Sequence, residues 1–289
     1  MIELTDIVAS VQFEVVLQTA TQGDVFEYIH DDTLLSSSLW ANIALAGLSI
    51  LLFVAMGRRV ESTRAQLIWV ATLMVPLVSI SSYGSLVSGL TAGFAQMPSG
   101  HALSDAVVTV SGQEFEGVFQ PWGRYLTWTF STPFILAALG MLAGTSRSKL
   151  FTAISMDVGM CLTGLAAALV TSSVLLRWVF YGISCAFFVA VLYVILVEWP
   201  KDAEAAGTAE IFNTLKILTV VLWLGYPIIW AVGAEGLAIV ESAGLTSWGY
   251  SALDILAKYI FAFLLLRWVA ANESVVSGGP GASAAPADD

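Results

Sequence analysis

Apolar residues dominate seven long stretches of the chain, and polar residues collect in the segments between them. Each stretch holds the roughly 20 mainly apolar residues that a helix needs to cross the hydrocarbon core of a membrane. Most connections are short, which favours antiparallel neighbours in a single bundle. The pattern therefore predicts an all-α membrane protein with seven transmembrane helices. The predicted spans are residues 34–56, 65–90, 121–143, 149–170, 175–199, 209–233 and 247–270.

One connection, residues 91–120, is much longer than the others. Within it the runs AVVTV and QEFEGVF flank Ser111-Gly112, a dipeptide typical of tight turns, so we expect a short exposed β-hairpin between spans two and three. Before the first span, the run DVFEYIH predicts a short amphipathic helix within an N-terminal segment, residues 1–33. Residues 272–289 end in a run rich in Gly, Ala and Pro, which predicts a disordered tail.

The composition excludes a soluble protein. Hydrophobic residues make up 57% of the chain and charged residues only 11%, whereas about 25% is usual for charged residues. The formal net charge of −11 argues against nucleic-acid binding. Cys161 and Cys185 lie in apolar runs and are interpreted as small core residues. The two cysteines and the two histidines, His30 and His101, are too few to predict a metal site.

The loop charges predict an orientation. Basic residues collect in the connections between spans 1–2, 3–4 and 5–6, and acidic residues collect on the opposite side. By the positive-inside rule we expect a cell-membrane protein with an extracellular N-terminus and a cytoplasmic C-terminus. Residues 1–33 contain no Lys or Arg, so they lack the basic start of a signal peptide. The basic residues are Arg58, Arg59, Arg64, Arg147, Lys149 and Lys201, and the acidic ones are Asp105, Glu114, Glu116, Glu235 and Glu241.

Few ionisable residues lie inside the predicted spans, where each costs roughly 2.5–3.5 kcal/mol on insertion scales. Lys258 lies near the middle of the last span, and Asp254 precedes it by one turn on the same helix face. One interpretation is a buried ion pair that holds helices together. The other is a lysine that forms a Schiff base with a carbonyl compound, with the aspartate as its counter-ion.

Aromatic residues favour the second interpretation. Trp223, Tyr226 and Trp230 share one face of span six, and span three contributes Trp128. Such a stripe is usually core packing. Beside a lone lysine in the middle of the membrane, it is better explained as the wall around a flat conjugated ligand.

Three runs that carry these residues, SALDILAKYIFAF, WLGYPIIW and RYLTWTFSTP, resemble the microbial rhodopsins. The resemblance covers nearly all of residues 34–271, the predicted seven-helix domain. It implies all-trans retinal joined to Lys258 as a protonated Schiff base, with Asp254 as counter-ion. It also implies a protonated, hydrogen-bonded Asp157 near the ring end of retinal, and Tyr181 stands where proton-pumping members often have tryptophan. The implied retinal pocket consists of Trp128, Thr132, Asp157, Met160, Gly164, Ser184, Trp223, Tyr226 and Trp230.

The residues that face this pocket from span three indicate which ion moves. Arg124, Thr127, Ser131 and Ala138 follow a spacing that puts them on one helix face. In proton-pumping members of the family, an aspartate stands at the position of Thr127 and usually a second carboxyl at that of Ala138. Neither is present here, so we do not expect proton pumping by that relay.

The expected site is short of one negative charge. The Schiff base and Arg124 carry two positive charges, and Asp254 carries one negative charge. Because a net positive charge in a low-dielectric site is costly, we expect an anion to join it. Thr127 and Ser131 are one turn apart and have hydroxyls that can donate to a halide; alternatively, both bond back to their own helix. This pattern resembles the halorhodopsins, light-driven inward chloride pumps of salt-loving archaea within the same family.

The resemblance extends to a path and to partners. Glu235 and Arg124 are candidates for anion uptake, and Thr219 and Lys216 are candidates for release on the inner side. Alternatively, Glu235 is a plain surface acid and Lys216 reaches the lipid headgroups. We expect chloride or another halide and membrane lipids as partners. The resemblance also implies a homotrimer and a bound carotenoid.

The function predicted from sequence is light-driven inward chloride transport, not enzymatic catalysis. One alternative is a photosensory rhodopsin that signals through a membrane partner, although sensory members generally keep an aspartate where Thr127 stands. An outward proton pump is the other, and it lacks the two carboxyls described above.

Overall fold

Long helices make up most of the described chain, residues 20–278 of this computed structural model. Six helical segments are long and apolar enough to cross a membrane. The seventh, residues 243–271, is helical throughout and contains Asp254 and Lys258. The predicted seven-helix bundle is confirmed. The helices are α1 Gln22–Asp31, α2 Thr33–Gly57, α3 Thr63–Val87, α4 Gly123–Ala143, α5 Arg147–Leu169, α6 Val174–Tyr193, α7 Trp199–Ala205, α8 Ala209–Val232, α9 Ala243–Asp254, α10 Phe261–Ala271 and α11 Glu273–Ser277.

Two of the spans contain a π-helical stretch. Val194–Glu198 joins α6 to α7, so the predicted fifth span continues beyond residue 199. Ile255–Ile260 joins α9 to α10 and contains Lys258. Single π-turns inside α-helices occur frequently at functional sites.

Short polar side chains fix where several helices begin. The Asp32 carboxylate accepts the backbone N–H groups of the first turn of α2 at 2.9 and 3.0 Å. Ser146, Ser173 and Ser242 cap α5, α6 and α9 in the same way. At the other end of a helix, Gly144 terminates α4 in the left-handed conformation, with φ of 72°.

The long connection forms two antiparallel strand pairs. β2 (Val107–Val110) and β3 (Gln113–Glu116) are the predicted hairpin, and Ser111 and Gly112 turn the chain with positive φ angles of 50° and 80°. β1 (Gly93–Ala95) pairs with β4 (Val118–Gln120), which the sequence did not predict.

The predicted second strand of the hairpin is interrupted at Gly117. Its φ is 106°, and a Cβ atom there would lie 2.3 Å from the Ala95 carbonyl oxygen. Only glycine fits this position without strain, so the run QEFEGVF divides into two strands. We call the end of the bundle that carries strands β1 to β4 the hairpin end, and the other end of the bundle the opposite end.

The two terminal segments are partly described. The predicted amphipathic helix is present as α1, which buries Val25 and Ile29 against the bundle; residues 1–19 lie outside the described range. The prediction of a disordered tail from residue 272 is wrong for its first residues. They form α11, because the Val276 side chain is only 1% exposed and the Glu273 carboxylate accepts the backbone N–H groups of Glu61 and Ser62. Residues 279–289 are not described.

The opposite half of the bundle is a dense apolar core. Leu139 and Leu142 of α4, Phe212 and Leu215 of α8 and Leu265 of α10 are each no more than 1% exposed. The core thus fills the helix ends that lie away from the hairpin.

We expect E273Q to lower the unfolding temperature at neutral pH. The backbone N–H groups of Ser62 and Glu61 hold the pKa of the Glu273 carboxyl below its usual range. The stabilisation is therefore present above the ordinary carboxyl pKa of about 4.3 and is lost as the pH falls through the lower folded-state value.

Thermal unfolding followed by circular dichroism at several pH values measures this effect. The exposed Glu210 provides the control, E210Q, which should leave the unfolding temperature unchanged. A difference between E273Q and the native chain that persists undiminished at the lowest pH would contradict the prediction.

Candidate functional site

Lys258 and Asp254 form a buried ion pair in the last helical segment. Both residues are 1% exposed, and the Lys258 Nζ lies 3.0 Å from the Asp254 Oδ2. The helix itself brings them together, since they are one turn apart. The spacing seen in the sequence thus predicted a real contact.

Two tyrosines complete the surroundings of the carboxylate. The Tyr83 hydroxyl of α3 donates to the Asp254 Oδ2, and the Tyr226 hydroxyl of α8 donates to Oδ1, both at 2.6 Å. The sequence predicted Tyr226 as a pocket residue but missed Tyr83. Nothing in the run SISSYGSL distinguishes Tyr83 from an ordinary core residue, because its partner is 171 positions away.

The lysine amine opens into an apolar cavity of about 100 Å³. Of the predicted pocket residues, all but Asp157 and Asp254 line this cavity. The sequence also missed several wall residues, which are small or aromatic side chains in apolar runs without a distinguishing signal. The lining residues are Tyr125, Trp128, Thr132, Met160, Cys161, Gly164, Tyr181, Ser184, Cys185, Phe188, Trp223, Tyr226, Pro227, Trp230, Tyr250 and Lys258.

Aromatic contacts hold the walls of this cavity in place. Tyr181 stacks on Trp230 with ring centroids 4.6 Å apart, and its hydroxyl donates to the Pro227 carbonyl at 3.1 Å. Trp128 and Tyr226 meet edge to face at 5.2 Å. The cavity wall at Tyr181 is therefore formed by this tyrosine together with Trp230.

Asp157 lies behind the cavity wall. Its side chain is fully buried, and its Oδ2 lies 2.6 Å from the Thr132 hydroxyl, which also lies 2.8 Å from the Trp128 carbonyl oxygen of its own helix. Within the described residues, Oδ1 has no hydrogen-bond partner. Because Thr132 lines the cavity, it connects Asp157 to the cavity wall and to a ligand bound there.

The three small residues predicted on one face of span three have different surroundings. The Thr127 hydroxyl donates to the Gly123 carbonyl at 3.1 Å and also contacts the Ser82 hydroxyl, a partner that the sequence missed. The Ser131 hydroxyl is buried and has no partner among residues 20–278. Ala138 is fully buried in the apolar core. Back-bonding to the helix therefore describes Thr127 but not Ser131.

Arg124 is a buried cation near the hairpin end and is 3% exposed. Its Nη2 donates to the Ser247 hydroxyl at 2.6 Å, and its guanidinium carbon lies 4.8 Å from the centre of the Tyr250 ring. In the described part of the chain, no carboxylate oxygen lies within 4.0 Å of it, and its Nε has no partner.

A second cavity, of about 180 Å³, lies between Arg124 and the hairpin. Glu235 lines it, and its Oε1 accepts from Gln120 at 2.5 Å and from the Tyr125 hydroxyl at 3.0 Å. The buried Arg177, which the sequence did not select, donates to the Glu235 carbonyl at 2.8 Å. Glu235 is therefore held in the cavity wall and is not a free surface acid.

The two candidate residues on α8 differ in burial. The Thr219 hydroxyl is buried, and it has no hydrogen-bond partner in the described range. Lys216 is half-buried, and its Nζ lies 6.0 Å from the centre of the Phe212 ring. Neither residue joins the group around Lys258; both lie on the part of α8 that leads to the opposite end.

Known proteins resemble this chain in sequence over most of its length. The family model described as bacteriorhodopsin-like protein matches residues 33–272. A halorhodopsin of Halobacterium halobium (strain port) is 72% identical over 275 residues, which cover 93% of this chain and 95% of that protein.

Solved structures match as well. A halorhodopsin described as a light-driven chloride pump is 61% identical with a TM-score of 0.79, and the match covers 85% of this chain and 99% of that one. A bromide-bound halorhodopsin from Halobacterium salinarum is 60% identical, also with a TM-score of 0.79, over 86% of this chain and 98% of that one.

We expect T132V to destabilise the protein by about 1–3 kcal/mol, because it leaves a buried carboxyl oxygen of Asp157 without its hydrogen-bond partner. T129V is the matched control. Thr129 lies one turn earlier on α4, and its hydroxyl donates to the Tyr125 carbonyl of its own helix at 2.7 Å. Denaturant or thermal unfolding measures both variants, and equal losses would contradict the role assigned to the Thr132–Asp157 contact.

Proposed function

This chain belongs to the bacteriorhodopsin-like protein family, and on that premise we propose that it is a light-driven chloride pump with retinal bound covalently to Lys258. The halorhodopsins that it matches at 60–72% identity include one described as a light-driven chloride pump and one solved with bromide. The matching structures include a chloride pump and a proton pump, so the residues around Lys258 decide between the ions.

The cavity fits retinal by its chemistry. A primary amine that is 1% exposed opens into a space walled by aromatic and small apolar side chains. An amine of this kind condenses with an aldehyde, and flat aromatic walls suit a long conjugated chain. When bound, retinal supplies absorption of visible light and an isomerisation that turns the nitrogen of Lys258.

The observation that carries the proposal is the shortage of negative charge. Asp254 is shared between the Lys258 nitrogen and two tyrosine hydroxyls. Arg124 has no carboxylate within 4.0 Å in the described residues. Two buried cations and one carboxylate leave a net positive charge, which is costly in a low-dielectric interior unless an anion compensates it.

The same face of α4 offers no proton relay. Thr127 stands one turn from Arg124, and Ala138 is fully buried among apolar residues of the opposite half. A threonine hydroxyl does not take up a proton near neutral pH, and alanine has none to give. The chain therefore has the means to hold an anion here but lacks the carboxyls that would move a proton.

Several donors are available to the anion. The Ser131 hydroxyl and the Arg124 Nε are buried, and neither has a partner among residues 20–278. Ser82 and Thr127 share the Gly123 carbonyl as acceptor, so one hydroxyl can keep that carbonyl while the other turns to the anion. A buried donor without a partner is costly to leave unsatisfied, so these groups favour an anion that can accept from them.

We propose that the hairpin end is extracellular and that the anion enters there. The cavity of about 180 Å³ joins Glu235 to Arg124, and the positive charge of Arg124 attracts anions through it. Gln120 and Tyr125 hold the Glu235 carboxylate. Its position in the cavity wall lets it limit which ions pass.

The anion would be released along the cytoplasmic half of α8. The buried Thr219 hydroxyl has no other partner in the described range and is one turn from Trp223, a wall residue of the cavity. Lys216 lies farther along and is half-buried, so its cation can receive the anion near the cytoplasm. Moving an anion inward against a negative-inside potential costs about 2.3 kcal/mol per 100 mV, which light must supply.

Illumination of vesicles that contain the chain and retinal tests the transported ion. In chloride we expect a light-induced potential together with passive proton movement that a protonophore increases. In sulfate, which is larger and divalent, we expect the signal to disappear. K258A, which lacks the amine that binds retinal covalently, is the negative control under the same illumination. Light-driven proton ejection that continues in sulfate would refute the proposal.

We expect T127D to weaken halide binding by at least about tenfold, because a carboxylate beside the two cations removes the net positive charge. Titration of the visible absorption band with chloride measures the affinity. T129V, two residues from Thr127 and on the opposite face of α4, serves as the control. Unchanged chloride affinity in T127D would show that the anion binds elsewhere.

A further inference from the structure

A chain of hydroxyl groups leads away from Arg124 across the interface between α9 and α2. The Arg124 Nη2 donates to the Ser247 Oγ at 2.6 Å, and the Ser247 Oγ lies 2.5 Å from the Ser38 Oγ. The Ser38 Oγ in turn lies 2.7 Å from the Leu35 carbonyl oxygen. All three polar side chains are at most 3% exposed, so water does not compete for these bonds.

The direction of the chain follows from counting protons. Each serine hydroxyl has one proton to donate. A carbonyl oxygen can only accept, so Ser38 gives its proton to Leu35. Ser247 must then donate to Ser38, and its lone pairs are left facing Arg124. Only this orientation gives a donor and an acceptor to each of the three hydrogen bonds between Arg124 Nη2 and the Leu35 carbonyl oxygen.

An oriented chain of this kind holds a cation without cancelling its charge. Each hydroxyl dipole points its negative end towards the guanidinium, and consecutive hydrogen bonds polarise one another. A carboxylate at the position of Ser247 would hold Arg124 more strongly. It would also form a neutral ion pair and remove the net charge that attracts the anion.

We propose that Ser247 and Ser38 are positioning residues that fix the Arg124 guanidinium through its Nη2. Its Nε, which has no partner among residues 20–278, then stays available to the transported anion. This inference deepens the proposed function and rests on it. The residues on α2 and α9 act through Arg124 and do not themselves contact the anion.

The chain offers a matched control between the same two helices. The Ser251 hydroxyl donates to the Ser38 backbone carbonyl at 3.1 Å. It is as buried as Ser38 and ties α9 to α2, but it is not part of the chain that ends on Arg124. S251A therefore removes a packing bond and leaves the orientation of the hydroxyl chain intact.

The test is a chloride titration of the visible absorption band in the full chain reconstituted with retinal, with sulfate as the background salt. We expect S38A to weaken chloride affinity by about 3- to 10-fold, since Ser247 loses its acceptor. S251A should bind chloride as the native chain does, although both variants lower the unfolding temperature. S247A should weaken binding at least as much as S38A, and S247T, which keeps the hydroxyl, should restore most of that loss.

The outcomes separate the two hypotheses. A native chain whose absorption band does not respond to chloride or bromide contradicts the proposed function itself. A native response with equal affinities in S38A and S251A contradicts the hydroxyl chain, because helix packing then explains both. If S38A forms no pigment, the comparison of S247A with S247T decides, and failure of S247T to recover affinity overturns the inference.

Discussion

The buried ion pair between Lys258 and Asp254 is the constraint around which the rest of the site is organised. Removing one partner of such a pair typically costs about 3–5 kcal/mol, because the other charge is left uncompensated. Three donors share Asp254: its Oδ2 accepts from Lys258 and Tyr83, and its Oδ1 accepts from Tyr226. Among the described residues, Arg124 has no carboxylate oxygen within 4.0 Å. The second cation depends on neutral groups, and the shortage of one negative charge is a property of the folded site.

The two halves of the bundle deal with this shortage differently. Towards the hairpin end, buried hydroxyls surround the charges, and a cavity of about 180 Å³ leads to Arg124. Towards the opposite end, the space is filled by leucine and phenylalanine side chains no more than 1% exposed. In the proposed mechanism, the anion is therefore stabilised on one side of Lys258 and meets an apolar barrier on the other. This asymmetry suits a pump, because a continuous polar path would let the anion run back down the potential.

The sequence predicted what depends on local spacing and missed what depends on distant contacts. Lys258 and Asp254 are four residues apart, so helical periodicity alone places them in contact. Tyr83, Ser82 and Ser247 come from other helices than their partners, and a hydroxyl in an apolar run gives no sign of which partner it meets. The same reason explains why the β1–β4 pair and the anchored α11 were not expected: each is held by residues distant in sequence.

The use of hydroxyls around Arg124 follows from what a transport site must do. A carboxylate would stabilise the guanidinium strongly, but it would compete with the anion in every state of the protein. Hydroxyl groups supply part of the same stabilisation through hydrogen bonds to a charged group, each worth roughly 1.5–3 kcal/mol. They leave the net charge in place, so the anion adds the remaining stabilisation when it binds and removes it when it leaves. The Ser247 hydroxyl, 2.6 Å from Arg124, thus holds the guanidinium without removing the positive charge that attracts the anion in the proposed mechanism.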